Sequence, residues 1–171
     1  MNEARRKVRI GAALGMAVLY GAGALLYGVW PEPLAPKGVD IAARLAVAAH
    51  LALWPVILVL ILSFSIGLGR IGRGFIDPLD GPGDRALEID RRVLTNSIEQ
   101  SLVFVVALTA LATRAPTHQL KLLPILTFFF VIGRIAFWVG YRIRPEYRAA
   151  GMAITYNVNF VTVLLALLLG Q

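Results

Sequence analysis

The chain has 171 residues, 58% of them hydrophobic, with a mean hydropathy of +0.72, a composition too apolar for a water-soluble domain of this size. It contains no cysteine, which excludes disulfides, thiolate metal sites and a cysteine nucleophile supplied by the protein itself. The net charge of +7 comes with no aromatic-interleaved basic patch and no nucleic-acid motif, so nucleic acid is not the expected partner and the charge is read by its position along a membrane topology.

The chain opens with Arg5, Arg6, Lys7 and Arg9, and residues 10–30 form an uncharged apolar run of 21 residues. A secretory signal has an apolar core of about 7–15 residues followed by a small-residue cleavage site. This run is longer and has no clear site of that kind, which predicts a retained transmembrane helix. Gly11 and Gly15 make one G-x-x-x-G pair, a spacing that lets two helix backbones approach closely. Residues 31–40, with three prolines, read as a short extramembrane connection, and 45–69 as a second span of 25 residues between Arg44 and Arg70. Pro55 removes a backbone donor near its middle and predicts a kink. His50, one turn earlier, reads as a donor to a neighbouring helix.

Residues 70–91, rich in Gly, Asp and Pro, read as a surface loop. Asp77, Asp80 and Asp84 miss the spacing of a calcium loop, and Gly69, Gly72 and Gly74 lack the Lys and Ser/Thr of a phosphate loop. No metal site is expected.

The third span carries the strongest signal. An apolar helix needs about 20 residues to cross roughly 30 Å of hydrocarbon, yet only fourteen uncharged residues, 100–113, separate Glu99 from Arg114. Glu99, and Asn96 with it, must therefore enter the membrane. At about 100° per residue Arg92, Asn96 and Glu99 share one helix face, and a face holding a cation, an amide and a carboxylate cannot point at lipid. The fourth span begins at 122 and reaches Arg134 after twelve uncharged residues. Measured from the shared turn, Glu99 and Arg134 lie about 21 Å and about 18 Å deep. Equal depth on antiparallel neighbours predicts a Glu99–Arg134 contact, direct or through water, that relieves the cost of either charge alone. Tyr141 follows Arg134 at i+7 on the same face, and residues 149–170 form an uncharged fifth span whose Asn157 and Asn159 are expected to bond between helices.

In this order and spacing, Arg92-x-x-x-Asn96-x-x-Glu99 at the start of one span, with Arg134, Gly140-Tyr141 and Arg148 at the end of the next, resembles the MAPEG superfamily, the membrane-associated proteins of eicosanoid and glutathione metabolism. The likeness covers about 45–170 and has the look of a bacterial-type member. It implies an all-α integral membrane protein, a four-helix bundle over 41–171 that forms a homotrimer with glutathione bound between protomers on the cytosolic side. Residues 1–40 then hold a cytoplasmic tail, an additional N-terminal transmembrane helix and a loop.

By the same likeness Arg92, Asn96, Glu99, Arg134 and Tyr141 are expected to hold glutathione, and Arg148 to stabilise its thiolate during transferase or peroxidase chemistry on an apolar, lipid-like substrate. Two positions depart from the pattern. Gln100 stands where eicosanoid-synthesising members often have tyrosine, and Phe137 stands where some have another. The alternative readings are a non-catalytic lipid-binding or scaffold member, and a small transporter or channel subunit. Basic residues divide twelve (Arg5, Arg6, Lys7, Arg9, Arg70, Arg73, Arg85, Arg91, Arg92, Arg142, Arg144, Arg148) to four (Lys37, Arg44, Arg114, Lys121) between the two ends of the spans. That asymmetry predicts that the N-terminus lies in the cytoplasm, and the bacterial-type likeness implies a multi-pass protein of a bacterial inner membrane.

Overall fold

The computed structural model describes residues 3–31, 40–75 and 84–169. Five helices, each long and apolar enough to span a bilayer, make up the described residues: α1 (Glu3–Val29), α2 (Ile41–Gly72), α3 (Arg85–Arg114), α4 (Leu122–Ile143) and α5 (Arg148–Leu168). A short 3-10 turn, Thr117–Gln119, joins α3 to α4. The all-helical spanning architecture read from the hydropathy pattern is thus what the chain adopts, because in hydrocarbon every backbone polar group must be satisfied within its own segment.

The helix ends differ from the sequence reading in one place. Both ends of the polar stretch 70–91 are helical, since α2 runs on to Gly72 and α3 starts at Arg85. Asp84 explains the early start: its carboxylate accepts from the Leu87 backbone N–H at 2.9 Å and caps α3, while also pairing with Arg73 Nε at 3.2 Å. Asp77, Asp80 and most of the 31–40 connection lie outside the described residues. The described residues hold no cluster of three or more potential metal ligands. At the opposite end of the bundle Arg44 donates to the Ala115 carbonyl at 2.6 Å and to Thr117 Oγ1 at 3.3 Å, closing the turn after α3.

α5 is the hub, packed against α1, α3 and α4, while α2 lies on α3 and α4. The main apolar core surrounds the stacked rings of Phe104 and Phe130, 4.4 Å between centroids, with Leu108, Leu111, Leu123 and Val158 about them. A smaller cluster of Leu62, Ile89, Val93 and Phe137 lies toward the basic end. The α4–α5 crossing is close because glycine stands on both helices. A Cβ at Gly133 would come within 2.9 Å of Thr155 Oγ1, and one at Gly151 would strike the Phe137 backbone nitrogen. α2 passes through Pro55, which is buried. His50 does not reach a neighbouring helix: it is exposed, and its Nδ1 bonds the Ala46 carbonyl one turn back at 2.8 Å, which satisfies the ring locally.

The interhelical amides act as the sequence implies. Asn159 Nδ2 donates to the side-chain and backbone oxygens of Gln100 at 2.9 and 3.1 Å, joining α5 to α3. Tyr20 donates to Asn157 Oδ1 at 2.9 Å and joins α1 to α5. The Gly11 and Gly15 pair is the notch by which α1 seats on Ala149 and Ala150 of α5.

Candidate functional site

The helical repeat divides the first half of α3 into two faces about 130° apart. Asp90, Val93 and Ser97 point into the bundle and are buried, while Arg92 and Glu99 are exposed on its outer surface with Asn96 half-buried beside them. The outer face is a groove of about 420 Å³ lined by Glu88, Arg91, Arg92, Thr95, Asn96 and Glu99. Within it Arg92 is paired with Glu88 at 2.7 Å, an i,i+4 pair that the spacing on α3 allows.

Arg134 approaches from the inner side of α3. It is 3% exposed, donating from Nη1 to Asn96 Oδ1 at 3.0 Å and from Nη2 to Ser97 Oγ at 2.7 Å, with its guanidinium carbon 4.4 Å from the centre of the Phe137 ring. Its Nε is buried with no acceptor, and among the described residues no carboxylate lies within ion-pair distance of it. The expected direct contact with Glu99 is not formed. The two charges share a level, but Glu99 stands about 200° round the helix from Ser97, the residue that faces Arg134. Asn96 lies between them: its oxygen takes Arg134 and its amide reaches Glu99 Oε2 at 3.5 Å. A carboxamide can face a cation on one side and an anion on the other, which neither charged neighbour could do.

The remaining candidates join this group from α4 and α5. The Arg148 guanidinium carbon lies 4.5 Å from the centre of the Tyr141 ring, and Tyr141 meets the Phe137 ring edge-on at 6.0 Å. The Tyr141 hydroxyl is also within electrostatic reach of Arg92. Arg92, Asn96, Glu99, Arg134, Tyr141 and Arg148 therefore form one connected polar cluster at the basic end, with Phe137 as the apolar link between its two halves. Phe137 is itself buried against Arg134 and Val93. Gln100 takes no part, because it turns toward α5 and is held there by Asn159.

A second polar group was not read from the sequence. Asp90, 1% exposed, accepts from Trp138 Nε1 at 2.9 Å and from Arg142 Nε at 2.8 Å, with a further contact from Arg142 Nη2. Trp138 and Arg142 are an i,i+4 pair on α4, which is the one sequence signal that could have pointed to them. Glu88 and Arg91 were likewise missed as groove residues.

A family model described as the MAPEG family matches residues 42–168. Transmembrane protein 79 of Bos taurus is 30% identical over 159 residues, covering 91% of this chain and 38% of that protein. Transmembrane protein 79 of Mus musculus is 29% identical over 143 residues, covering 81% of this chain and 34% of that protein. The chain spans a little over a third of the length of these curated relatives.

Proposed function

The chain belongs to the MAPEG family, and on that premise we propose that it is a glutathione-dependent membrane transferase or peroxidase acting on an apolar electrophile drawn from the bilayer. The observation that carries this reading is the half-open pairing of the polar cluster around Arg134 and Glu99. Among the described residues Arg134 has a buried donor without an acceptor and no carboxylate partner, while Glu99, at membrane depth, holds only a long bond to Asn96. Unpaired charge in hydrocarbon is costly, so an arrangement that leaves both signs under-satisfied fits a zwitterionic ligand.

The donor set matches glutathione. Arg92, Arg91 and Arg134 suit its two carboxylates, Glu99 its ammonium, and Asn96 either kind of group. Glutathione supplies a thiol whose free pKa of about 8.5 leaves only about 3% thiolate at pH 7. Arg148, held over Tyr141, places a cation where it favours the ionised sulfur. A depression of about two units would raise the thiolate to roughly 75%.

The exposed charged face of α3 also supports a homotrimer with the site at protomer boundaries. Arg92, Asn96 and Glu99 continue along the same face as Val103, Val106 and Ala110, alternating steps of four and three residues, the seam by which helices pack on one another. A partner protomer on this seam would remove Glu99 from lipid. The 41–171 unit is then the catalytic bundle, 1–40 its N-terminal addition, and the excess of basic residues at the site end supports a cytoplasmic N-terminus.

A non-catalytic lipid-binding or scaffold role is the second reading. It is favoured by Phe137 and Gln100, where the hydroxyls of some members are replaced by a buried ring on Arg134 and an amide committed to α5. Melting of the detergent-solubilised protein with and without millimolar glutathione separates the two. A rise in Tm together with glutathione-dependent turnover is expected, and neither appearing would leave the lipid-binding role. Mass measurement in detergent should give a trimer, and a stable monomer would remove the composite site.

A further inference from the structure

The family match starts at residue 42 and leaves α1 outside it, although the 91% coverage by Transmembrane protein 79 extends into that helix. What α1 touches is specific. Of its residues only Gly15 and Leu19 are buried, and a Cβ at Gly15 would strike the Ala150 carbonyl oxygen, a backbone atom that has no room to retreat. Gly11 one turn earlier fits against Ala149, its Cβ position 3.5 Å from that side chain. The Tyr20–Asn157 bond fixes the register two turns farther along α5.

The segment so gripped is the first turn of α5, which begins at Arg148. Tyr147 provides no side-chain cap, so packing rather than capping holds this helix end. On its other side α4 presses just as closely: a Cβ at Gly140 would lie 2.6 Å from the Tyr147 carbonyl oxygen and 3.0 Å from the Arg148 nitrogen. The turn that carries Arg148 is a wafer between a glycine of α1 and a glycine of α4, with the guanidinium on the Tyr141 ring.

We propose that α1 is a positioning element for Arg148: the Gly11/Gly15 notch holds the first turn of α5 against α4 and so keeps the guanidinium over Tyr141. The functional side of this inference rests on the glutathione reading above; its geometric side does not. The physical basis is that Gly15 meets backbone, so even a methyl group forces the two helices apart. Among the described residues α1 packs chiefly on α5 and also on α4, whereas Arg92, Asn96 and Glu99 stand on α3.

The cysteine-free chain allows the test to be made with spin labels. A label at Arg148→Cys reports the mobility of the turn, and one at Leu164→Cys the far half of α5. In the Gly15→Ala background the label at 148 should become markedly more mobile while that at 164 keeps its spectrum. Equal loosening of both, or of neither, would overturn the brace. In unlabelled Gly15→Ala protein the pH for half-formation of bound thiolate, followed by absorbance near 239 nm, should rise by about one unit, with glutathione Kd changed less than twofold. A merely destabilised protein would lose Tm without moving that pH. If wild-type protein forms no thiolate at all, the glutathione reading fails, and the label comparison still decides the brace.

Discussion

Two polar knots join α3 to α4, two helical turns apart, and they are built in opposite ways. Around Asp90 both oxygens of a buried carboxylate are engaged: Trp138 Nε1 and Arg142 Nε converge on Oδ1 and Arg142 Nη2 on Oδ2, and Arg142 in turn lies 5.6 Å over the Trp138 ring. Around Arg134 the buried charge is a cation, its partners are the neutral Asn96 and Ser97, one donor is idle, and Asn96 in turn reaches the Glu99 carboxylate. The first knot is finished by the fold. The second keeps hydrogen-bond capacity in hand, which is what the proposed glutathione site draws on. Burial and charge alone therefore do not distinguish a structural pair from a binding site; the state of the remaining hydrogen-bond capacity does.

The comparison can be broken most forcefully at Asp90. Asp90→Ala leaves the half-exposed Arg142 and the Trp138 indole without their acceptor and should cost about 1–3 kcal/mol in stability, seen as a fall in Tm. Replacing both partners, Asp90→Leu with Arg142→Met, should recover most of that loss, because the desolvation penalty leaves with the charges. A double variant no better than the single one would show that Asp90 has a task beyond locking the helices.

Next in size is Arg148→Ala, which should lower turnover at pH 7 about 25-fold, the ratio of roughly 75% to about 3% thiolate, while glutathione affinity moves only a few-fold. Steady-state kinetics against glutathione separate the two. If Arg148 only anchors the helix end at headgroups, thiolate absorbance and turnover stay at the wild-type level.

Glu99→Gln sharpens the contrast from the open side. Since Glu99 has one long hydrogen bond and no ion pair among the described residues, its loss should leave ligand-free stability within about 0.5 kcal/mol. Glutathione affinity should fall about tenfold, as expected for removing one charge-assisted bond. Calorimetric titration beside a thermal melt reads both quantities, and a melt that drops as far as that of Asp90→Ala would erase the distinction between the knots.

The smallest effect is expected at Gln100→Leu. That side chain faces α5 and bonds Asn159, so the variant should cost about 1 kcal/mol and leave glutathione affinity unchanged. A change in affinity would mean that Gln100 turns toward the groove when ligand is present.

Most of the frame was readable in the chain because the bilayer is a stringent solvent. Its thickness alone converts apolar run lengths into spans, and the shortage of uncharged residues between Glu99 and Arg114 forces a carboxylate into the membrane whatever the neighbours are. The Arg92, Asn96, Glu99 repeat gave the shared face, and with Arg134, Tyr141 and Arg148 it was enough to point to the family. Helix length, depth and internal phase are one-dimensional quantities, and a single sequence carries them.

Rotation of each helix about its axis relative to its neighbours is not such a quantity, and there only the packed structure decided. Equal depth put Glu99 and Arg134 on one level but left open which face of α3 meets α4; the packing turned Asp90 and Ser97 inward, so Arg134 met Asn96 and Ser97 instead of the carboxylate. The same rotation buried Gln100 against Asn159 and gave Asp90 its two partners. Likewise the Gly11 and Gly15 pair announced a close approach without naming Ala149 and Ala150 as what is approached. Side-chain volume summed over five helices sets these azimuths, and no local stretch contains that sum.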